Sequence, residues 1–236
     1  MVTDPPVLVA LDLPTAEEAV DLAMRLAPHV GGFKVGLRLL LGVGPAVVSA
    51  LVGLGRPVFA DAKLHDIPTQ VEAAARRLGR AGARWVSVHA AGGVEMMEAA
   101  VGGVAAGAGE ARAGVLAVTV LTSLDRAALA RVGIDRSPGK LVSAMTRAAA
   151  AAGCEGVVCS PQELNVARDV APGLLRVTPG VRLRPGDDDQ RRTATPAEAR
   201  RRGADLLVVG RPVVRAPDPV AAAAALAAAV VGEEDG

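Results

Sequence analysis

Eight apolar runs of strand length, each followed by a stretch with helical spacing, set the terms on which this chain can fold. The runs fall at 7–12, 32–36, 57–63, 84–89, 114–120, 156–159, 174–178 and 205–209. After the first, Ala16, Ala19, Leu22, Ala23 and Leu26 recur on one helical face, with Thr15 or Pro14 suited to the helix start. Further helices are predicted near 44–53, 68–81, 93–107, 138–152, 161–170, 196–202 and 217–230, with a short extra one near 125–131. The runs are continuously apolar instead of alternating, as parallel strands covered on both faces require. Eight such units in 236 residues predict an α/β chain forming a (β/α)8 TIM barrel, one domain over 1–236. A doubly wound open sheet would place a glycine-rich fingerprint after its first strand, where this chain reads Asp12-Leu-Pro-Thr15. No linker, low-complexity tract or repeat beyond the βα unit interrupts the pattern.

Composition narrows the function classes. Phe33, Phe59 and Trp85 are the only aromatic residues, so the core is aliphatic. A net charge of +1 supplies no basic field for nucleic acid, and the stacking platforms that single strands need are missing. The charge clusters at 187–189 and 200–202 are short and read as a solvated loop and a helix end. Cys154 and Cys159 are not expected to form a disulfide in such a segment and lack companions for a metal site, so they read as small buried hydrophobes. The first residues carry no cationic segment followed by an apolar run, and the alanine-rich stretch near 220–231 is short, flanked by Pro217, Pro219 and an acidic tail. A soluble, cytoplasmic protein without a membrane partner is expected.

Of 26 basic residues only three are lysines: Lys34, Lys63 and Lys140. A chain so biased toward arginine uses lysine where arginine would not serve, because an ammonium can give up a proton and a guanidinium effectively cannot. Two of these lysines lie at strand ends, and a barrel builds its active site at the C-terminal ends of its strands. Those ends carry Asp12, Lys34, Asp61 with Lys63, His89, Thr122 with Ser123, the segment Pro179-Gly-Val-Arg182, and Gly210-Arg211. Asp61 and Lys63, two apart on a strand, are predicted to face the same way, inward, with Lys34 on the neighbouring strand. An array of alternating sign can remain ionised when buried, since each charge offsets its neighbour's desolvation. Gly210 and Arg211 after the eighth strand, with Arg182 and Gln190 flanking the loop after the seventh, have the character of a barrel phosphate cradle. The polar loop at 183–190 is long enough to close over a phosphate.

The segment Asp61-Ala-Lys-Leu-His-Asp-Ile-Pro68 resembles the signature of the orotidine 5′-phosphate decarboxylase family, and the resemblance runs nearly end to end. Ala10-Leu-Asp12 resembles the family's first-strand aspartate segment, and Phe33-Lys-Val-Gly36 its second-strand lysine segment. The stretch from Val118 to Ser123 resembles the one that meets the pyrimidine through the residue at Thr122. Thr178-Pro-Gly-Val-Arg182, Asp188-Asp-Gln190 and Gly210-Arg-Pro212 resemble the phosphate-binding positions. The resemblance implies loss of CO2 from C6 of orotidine 5′-monophosphate to give UMP, in de novo pyrimidine biosynthesis, with no cofactor and no metal. It implies catalytic roles for Lys34, Asp61, Lys63 and Asp66, with Lys63 as proton donor to C6. It implies substrate contacts from Asp12, Lys34, Asp61, Ile67, Thr69, Gln70, Thr122, Pro179, Arg182, Gln190, Gly210 and Arg211. It also implies a homodimer with shared active sites, Asp66 and its neighbours reaching into the partner's site. The family commonly carries Thr four residues after the last signature Asp; here that position is Gln70, with Thr69 one earlier, so either side chain is a candidate for that ribose contact.

Two rival readings are distinguishable. Sugar-phosphate decarboxylases or synthases share Asp-x-Lys-x-x-Asp but generally continue with Ala-Gly and place a metal-binding Glu where this chain has Lys34, a cation that would repel a divalent metal. A non-catalytic sensor of phosphoribosyl ligands would bind UMP without converting its precursor, and would have little use for Lys63 between two aspartates. His65 and His89 are expected to be structural.

Overall fold

The computed structural model describes residues 5–181 and 194–231. The strands are β1 (Val7–Ala10), β2 (Gly32–Val35), β3 (Val58–Leu64), β4 (Trp85–His89), β5 (Gly114–Val118), β6 (Gly156–Val158), β7 (Leu175–Thr178) and β8 (Leu206–Val209). All neighbours pair in parallel in chain order and β8 returns to β1, closing an eight-stranded barrel. With helices between the strands, this is the (β/α)8 architecture read from the sequence. Closure leaves no unpaired edge along the sheet.

Strand alternation divides the core in two. Leu8, Ala10, Phe59, Trp85, Leu116, Val177 and Val208 fill the barrel interior. Their neighbours Val7, Val9, Val58, Ala60, Val86, Val88, Val115, Ala117, Leu207 and Val209 face outward into the helical layer. Two of the three aromatic residues thus plug the interior, where aliphatic chains alone would leave space.

The helices are α1 (Ala16–Leu26), α2 (Leu37–Val43), α3 (Ala46–Val52), α4 (Pro68–Arg80), α5 (Val94–Ala108), α6 (Arg126–Arg131), α7 (Pro138–Ala151), α8 (Leu164–Val170), α9 (Pro196–Arg201), α10 (Arg211–Val214) and α11 (Pro219–Val231). Their starts follow local chemistry. Thr15 accepts from the Glu18 N–H, Asp125 from Ala128 and Ser137 from Lys140, each satisfying a first-turn donor. Thr195 and Glu198 form a reciprocal capping box at α9.

Several boundaries differ from the sequence reading. The helix predicted near 44–53 is α3, and α2 ahead of it is a helix the spacing does not predict. Gly44 ends α2 at φ +74, where a side chain is strained, and Pro45 has no N–H with which to continue it. The helix predicted from 161 begins at Leu164, because Pro161 to Glu163 form a turn. The short α10 directly after β8 was not anticipated; only four residues long, it offers too little periodicity to read. β1 stops at Ala10 and β5 at Val118, short of the predicted ends at 12 and 120, while β3 runs one residue further, to Leu64. Among the described residues, no helix is long and apolar enough to cross a membrane.

Candidate active site

Charge alternates across the C-terminal mouth of the barrel on three adjacent strands. The Lys34 ammonium, on β2, lies 3.0 Å from Asp12 Oδ1, just past β1, and 3.8 Å from Asp61 Oδ2, on β3. The Lys63 ammonium lies 2.6 Å from the same Asp61 oxygen. The row therefore reads Asp12, Lys34, Asp61, Lys63. Lys34 and Asp61 are buried, whereas the Asp12 side chain is 54% exposed. Burial alone would raise the Asp61 pKa, but the charges of Lys34 and then Lys63, with hydrogen bonds from Lys63 and Ser87, more than offset it. The net direction is downward, so Asp61 stays a carboxylate.

Asp12 joins the row expected of Lys34, Asp61 and Lys63, paired with Lys34. Asp66, expected to reach toward a partner's site, stands apart from the row of its own chain: it is exposed, and its Oδ1 accepts from the Ile67 N–H at 2.7 Å.

The geometry that joins Asp61 to Lys63 is also not the plain strand alternation the spacing predicted. Lys63 has φ +48, the one positive φ at a non-glycine among the described residues. That conformation costs about 1–2 kcal/mol for an L-residue. The β3–β4 register slips between Ala60 and Leu64, so the ladder is interrupted where Lys63 sits. Ser87, on β4, spans the interruption. Its hydroxyl donates to Asp61 Oδ1 at 2.8 Å and accepts from the Lys63 backbone N–H at 2.9 Å. Ser87 was not singled out from the sequence. The signal was present, because Ser87 has the parity of the inward-facing Trp85 and is a polar residue among apolar ones.

A cavity of about 470 Å³ opens at this end of the barrel. Asp12, Lys34, Asp61 and Lys63 form one wall, with Phe59 beside them. Thr122 lies beyond β5, Pro179 beyond β7, and Gly210 and Arg211 at the start of α10, all lining the same space. Eight of the expected site residues thus meet around one cavity. Arg38 and Arg215 also line it, outside the residues to which the sequence points, as does the buried Cys159. Arginines are too common in this chain for two of them to stand out. Asp66, Ile67, Thr69 and Gln70 lie outside the cavity and are exposed, Ile67 by 62%. Arg182, Gln190 and the loop at 183–190 fall outside the described residues.

Gly36 makes room for the charged row. A Cβ there would stand 2.7 Å from Asp12 Oδ1 and 2.8 Å from the Lys34 ammonium. Nearby, the His65 and His89 rings stack at 5.4 Å between centroids, tilted by 40°. Burial, then His65 and Lys63, push the His89 pKa down against the opposing pull of Asp61, so His89 is the neutral imidazole. Among the described residues, no group of three or more His, Cys, Asp or Glu is placed to hold a metal ion.

Known proteins share this architecture and sequence. The chain belongs to the orotidine 5′-phosphate decarboxylase / HUMPS family, whose pattern it matches over residues 5–226. It is 54% identical over 224 residues to the orotidine 5′-phosphate decarboxylase of Anaeromyxobacter sp. (strain K), covering 94% of this chain and 96% of that one. With the enzyme of the same name from Moorella thermoacetica it shares 48% identity, over 95% and 91% of the two chains. The crystal structure of orotidine 5′-phosphate decarboxylase from Lactobacillus acidophilus superposes with a TM-score of 0.85 at 35% identity, covering 97% of this chain and 100% of that one.

Proposed function

We propose that this chain decarboxylates orotidine 5′-monophosphate to UMP, a carboxy-lyase step of pyrimidine biosynthesis carried out in the cytoplasm. The observation that carries the reading is the row Asp12, Lys34, Asp61, Lys63 along one wall of a cavity that also holds Gly210 and Arg211. The row suits a reaction that builds negative charge at a ring carbon, and the glycine–arginine pair suits a phosphate.

In the proposed reaction the bond from C6 to the carboxylate breaks, CO2 leaves, and the electron pair remains on C6. The Lys63 ammonium stabilises that pair and delivers a proton to it. No cofactor is invoked; the side chains supply the stabilisation. Asp61 beside the substrate carboxylate repels it by roughly 4 kcal/mol at about 4 Å and an effective dielectric near 20. Enzymes lower barriers by about 8–23 kcal/mol, so repulsion is the smaller contribution and stabilisation by Lys63 the larger. Asp12 and Lys34 are assigned to the ribose, Thr122 to the pyrimidine, and Pro179, Arg182, Gln190, Gly210 and Arg211 to the phosphate. Binding energy from that remote phosphate offsets the cost of assembling the charged site.

The exposed stretch Asp66, Ile67, Thr69 and Gln70 is assigned to the partner's site in a homodimer. Its position outside the cavity of its own chain, and the 62% exposure of Ile67, favour that assignment.

The test is loss of orotidylate ultraviolet absorbance on adding purified protein in the presence of a chelator. Stoichiometric formation of UMP and CO2 is expected. Binding of UMP without consumption of orotidylate would overturn the assignment.

A further inference from the structure

We infer that Ser87 is a positioning residue for this reaction: one hydroxyl, reaching across from β4, fixes both the Asp61 carboxylate and the Lys63 backbone. The inference rests on the decarboxylase reading above, since it concerns how that site is held.

A serine hydroxyl has one hydrogen to give and lone pairs to receive with. Here both functions are committed. The Lys63 N–H can only donate, so the Ser87 oxygen must accept from it at 2.9 Å. An ionised Asp61 can only accept, so the hydroxyl hydrogen must point to Oδ1 at 2.8 Å. The direction of the relay follows from the chemistry of its two ends.

Each end fixes something the site needs. Asp61 Oδ1 is held by Ser87 and Oδ2 by the Lys63 ammonium at 2.6 Å, so the carboxylate cannot turn about its own axis. At the other end, Lys63 stands where the β3–β4 ladder slips and the backbone adopts φ +48. The serine oxygen takes the place of the carbonyl that a regular ladder would offer its N–H. A strained backbone persists where surrounding contacts over-determine it. Ser87 is one such contact, and it is fully buried, so water cannot substitute for it. Lys63 and Asp61 are therefore set relative to each other twice, once directly and once through Ser87.

Misplacing a reacting group by about 1 Å can cost roughly 100-fold in rate. Ser87→Ala removes the hydroxyl without adding bulk and should leave the barrel folded. We expect kcat to fall roughly 10- to 100-fold with KM changed less than about threefold. The acid limb of the kcat profile should move to higher pH, because Asp61 loses a bond that favours its charged form. Ser87→Thr keeps the hydroxyl and should recover most of the lost rate. A folded Ser87→Ala enzyme with unchanged kcat, or with only KM raised, would overturn the inference. So would a folded Ser87→Thr enzyme no faster than Ser87→Ala. Should the alanine variant fail to fold, Ser87→Cys takes its place under the same criteria, being similar in size and a poor donor.

Wild-type protein that does not consume orotidylate would sink the functional reading but not the relay. Carbon-detected NMR titration of Asp61 then decides the relay alone. Its pKa should rise in Ser87→Ala, and an unchanged titration would remove Ser87 from any positioning role.

Discussion

The Lys63 ammonium lies 2.6 Å from Asp61 Oδ2, and it reaches that oxygen from a left-handed backbone instead of an extended one. The pairing holds the ammonium toward the cavity, and the side chain remains about 30% exposed on that side. An ammonium so placed is restrained by its partner yet open to a ligand. Lys63→Ala should therefore abolish turnover, by at least about 1,000-fold, the loss of a charge preorganised against a developing carbanion. Circular dichroism and the melting midpoint should stay near those of the wild type. A folded variant with near-normal turnover would reject Lys63 as the proton donor.

Asp61 gives a prediction about acid. Its folded pKa lies below the ordinary value of 3.8, despite burial, because Lys34 and Lys63 flank it. A group depressed in the folded state contributes stability that is present above its unfolded pKa and is lost as pH falls through the folded one. Asp61→Asn should therefore cost about 1–3 kcal/mol at pH 7, where it leaves ammonium groups short of a charged acceptor. The difference from wild type should shrink below pH 3.8. Urea denaturation at pH 7 and pH 3 measures both; an equal difference at the two values would show that the carboxylate charge is not what matters.

Gly36 separates activity from stability. Its backbone, at φ −92 and ψ −178, suits alanine, and the atoms a Cβ would crowd are the ends of the Asp12 and Lys34 side chains. These side-chain ends must swing away, at a cost that the roughly 0.4–1 kcal/mol gained by an unstrained glycine-to-alanine replacement offsets, so the fold should change little in stability. The charged row, however, must open. Gly36→Ala should lower kcat/KM roughly 10-fold or more while leaving the melting midpoint within a few degrees. A large fall in midpoint with normal kinetics would contradict this.

The barrel and most of this row are legible in the sequence because they rest on periodicity. The inward parity of Lys34, Phe59 and Asp61 follows from alternation along β2 and β3, which the structure keeps as far as Ala60. What is not legible arises where the period breaks. Lys63 follows a register slip, so the spacing alone named its neighbour for the wrong geometric reason. Ser87 matters because of that slip; its inward parity is legible in the run from Trp85 to His89, but the slip that it spans is not. Asp12 joins Lys34 through a cross-strand approach that depends on Gly36 having no side chain. The helix α2, only seven residues long, is not legible in the apolar run that forms it, although Gly44-Pro45 marks where it must end before α3.

Arg211 should discriminate ligands by their phosphate. It lies at the first position of α10 and lines the cavity beside Gly210, after the strand that neighbours β1. A charge-assisted bond to phosphate is worth about 1.5–3 kcal/mol. Arg211→Ala should thus weaken UMP binding roughly 10- to 100-fold while leaving uridine binding nearly unchanged. Calorimetric titration with both ligands checks this, and equal losses would remove Arg211 from the phosphate site.

At the opposite end of the barrel, Arg84 should matter to stability and not to rate. It immediately precedes β4, and Glu155 immediately precedes β6, so their pairing lies at the N-terminal face. The Arg84 guanidinium donates to both Glu155 oxygens, one at 2.6 Å, and stacks 4.4 Å from the Trp85 ring centroid. Burial would raise the Glu155 pKa, but Arg84 first and Arg112 after it hold it below the usual carboxylate value. Arg84→Ala leaves Glu155 with Arg112, a more exposed partner, and strips the cover from Trp85. The expected cost is about 2–3 kcal/mol, a lost bond between charged groups together with a stacked cation. In a barrel, residues at the N-terminal face serve stability while chemistry occupies the other. The variant should therefore melt several degrees lower yet keep its kcat and KM at 25 °C. Kinetic constants that change in step with stability would show that the two ends of this barrel are coupled.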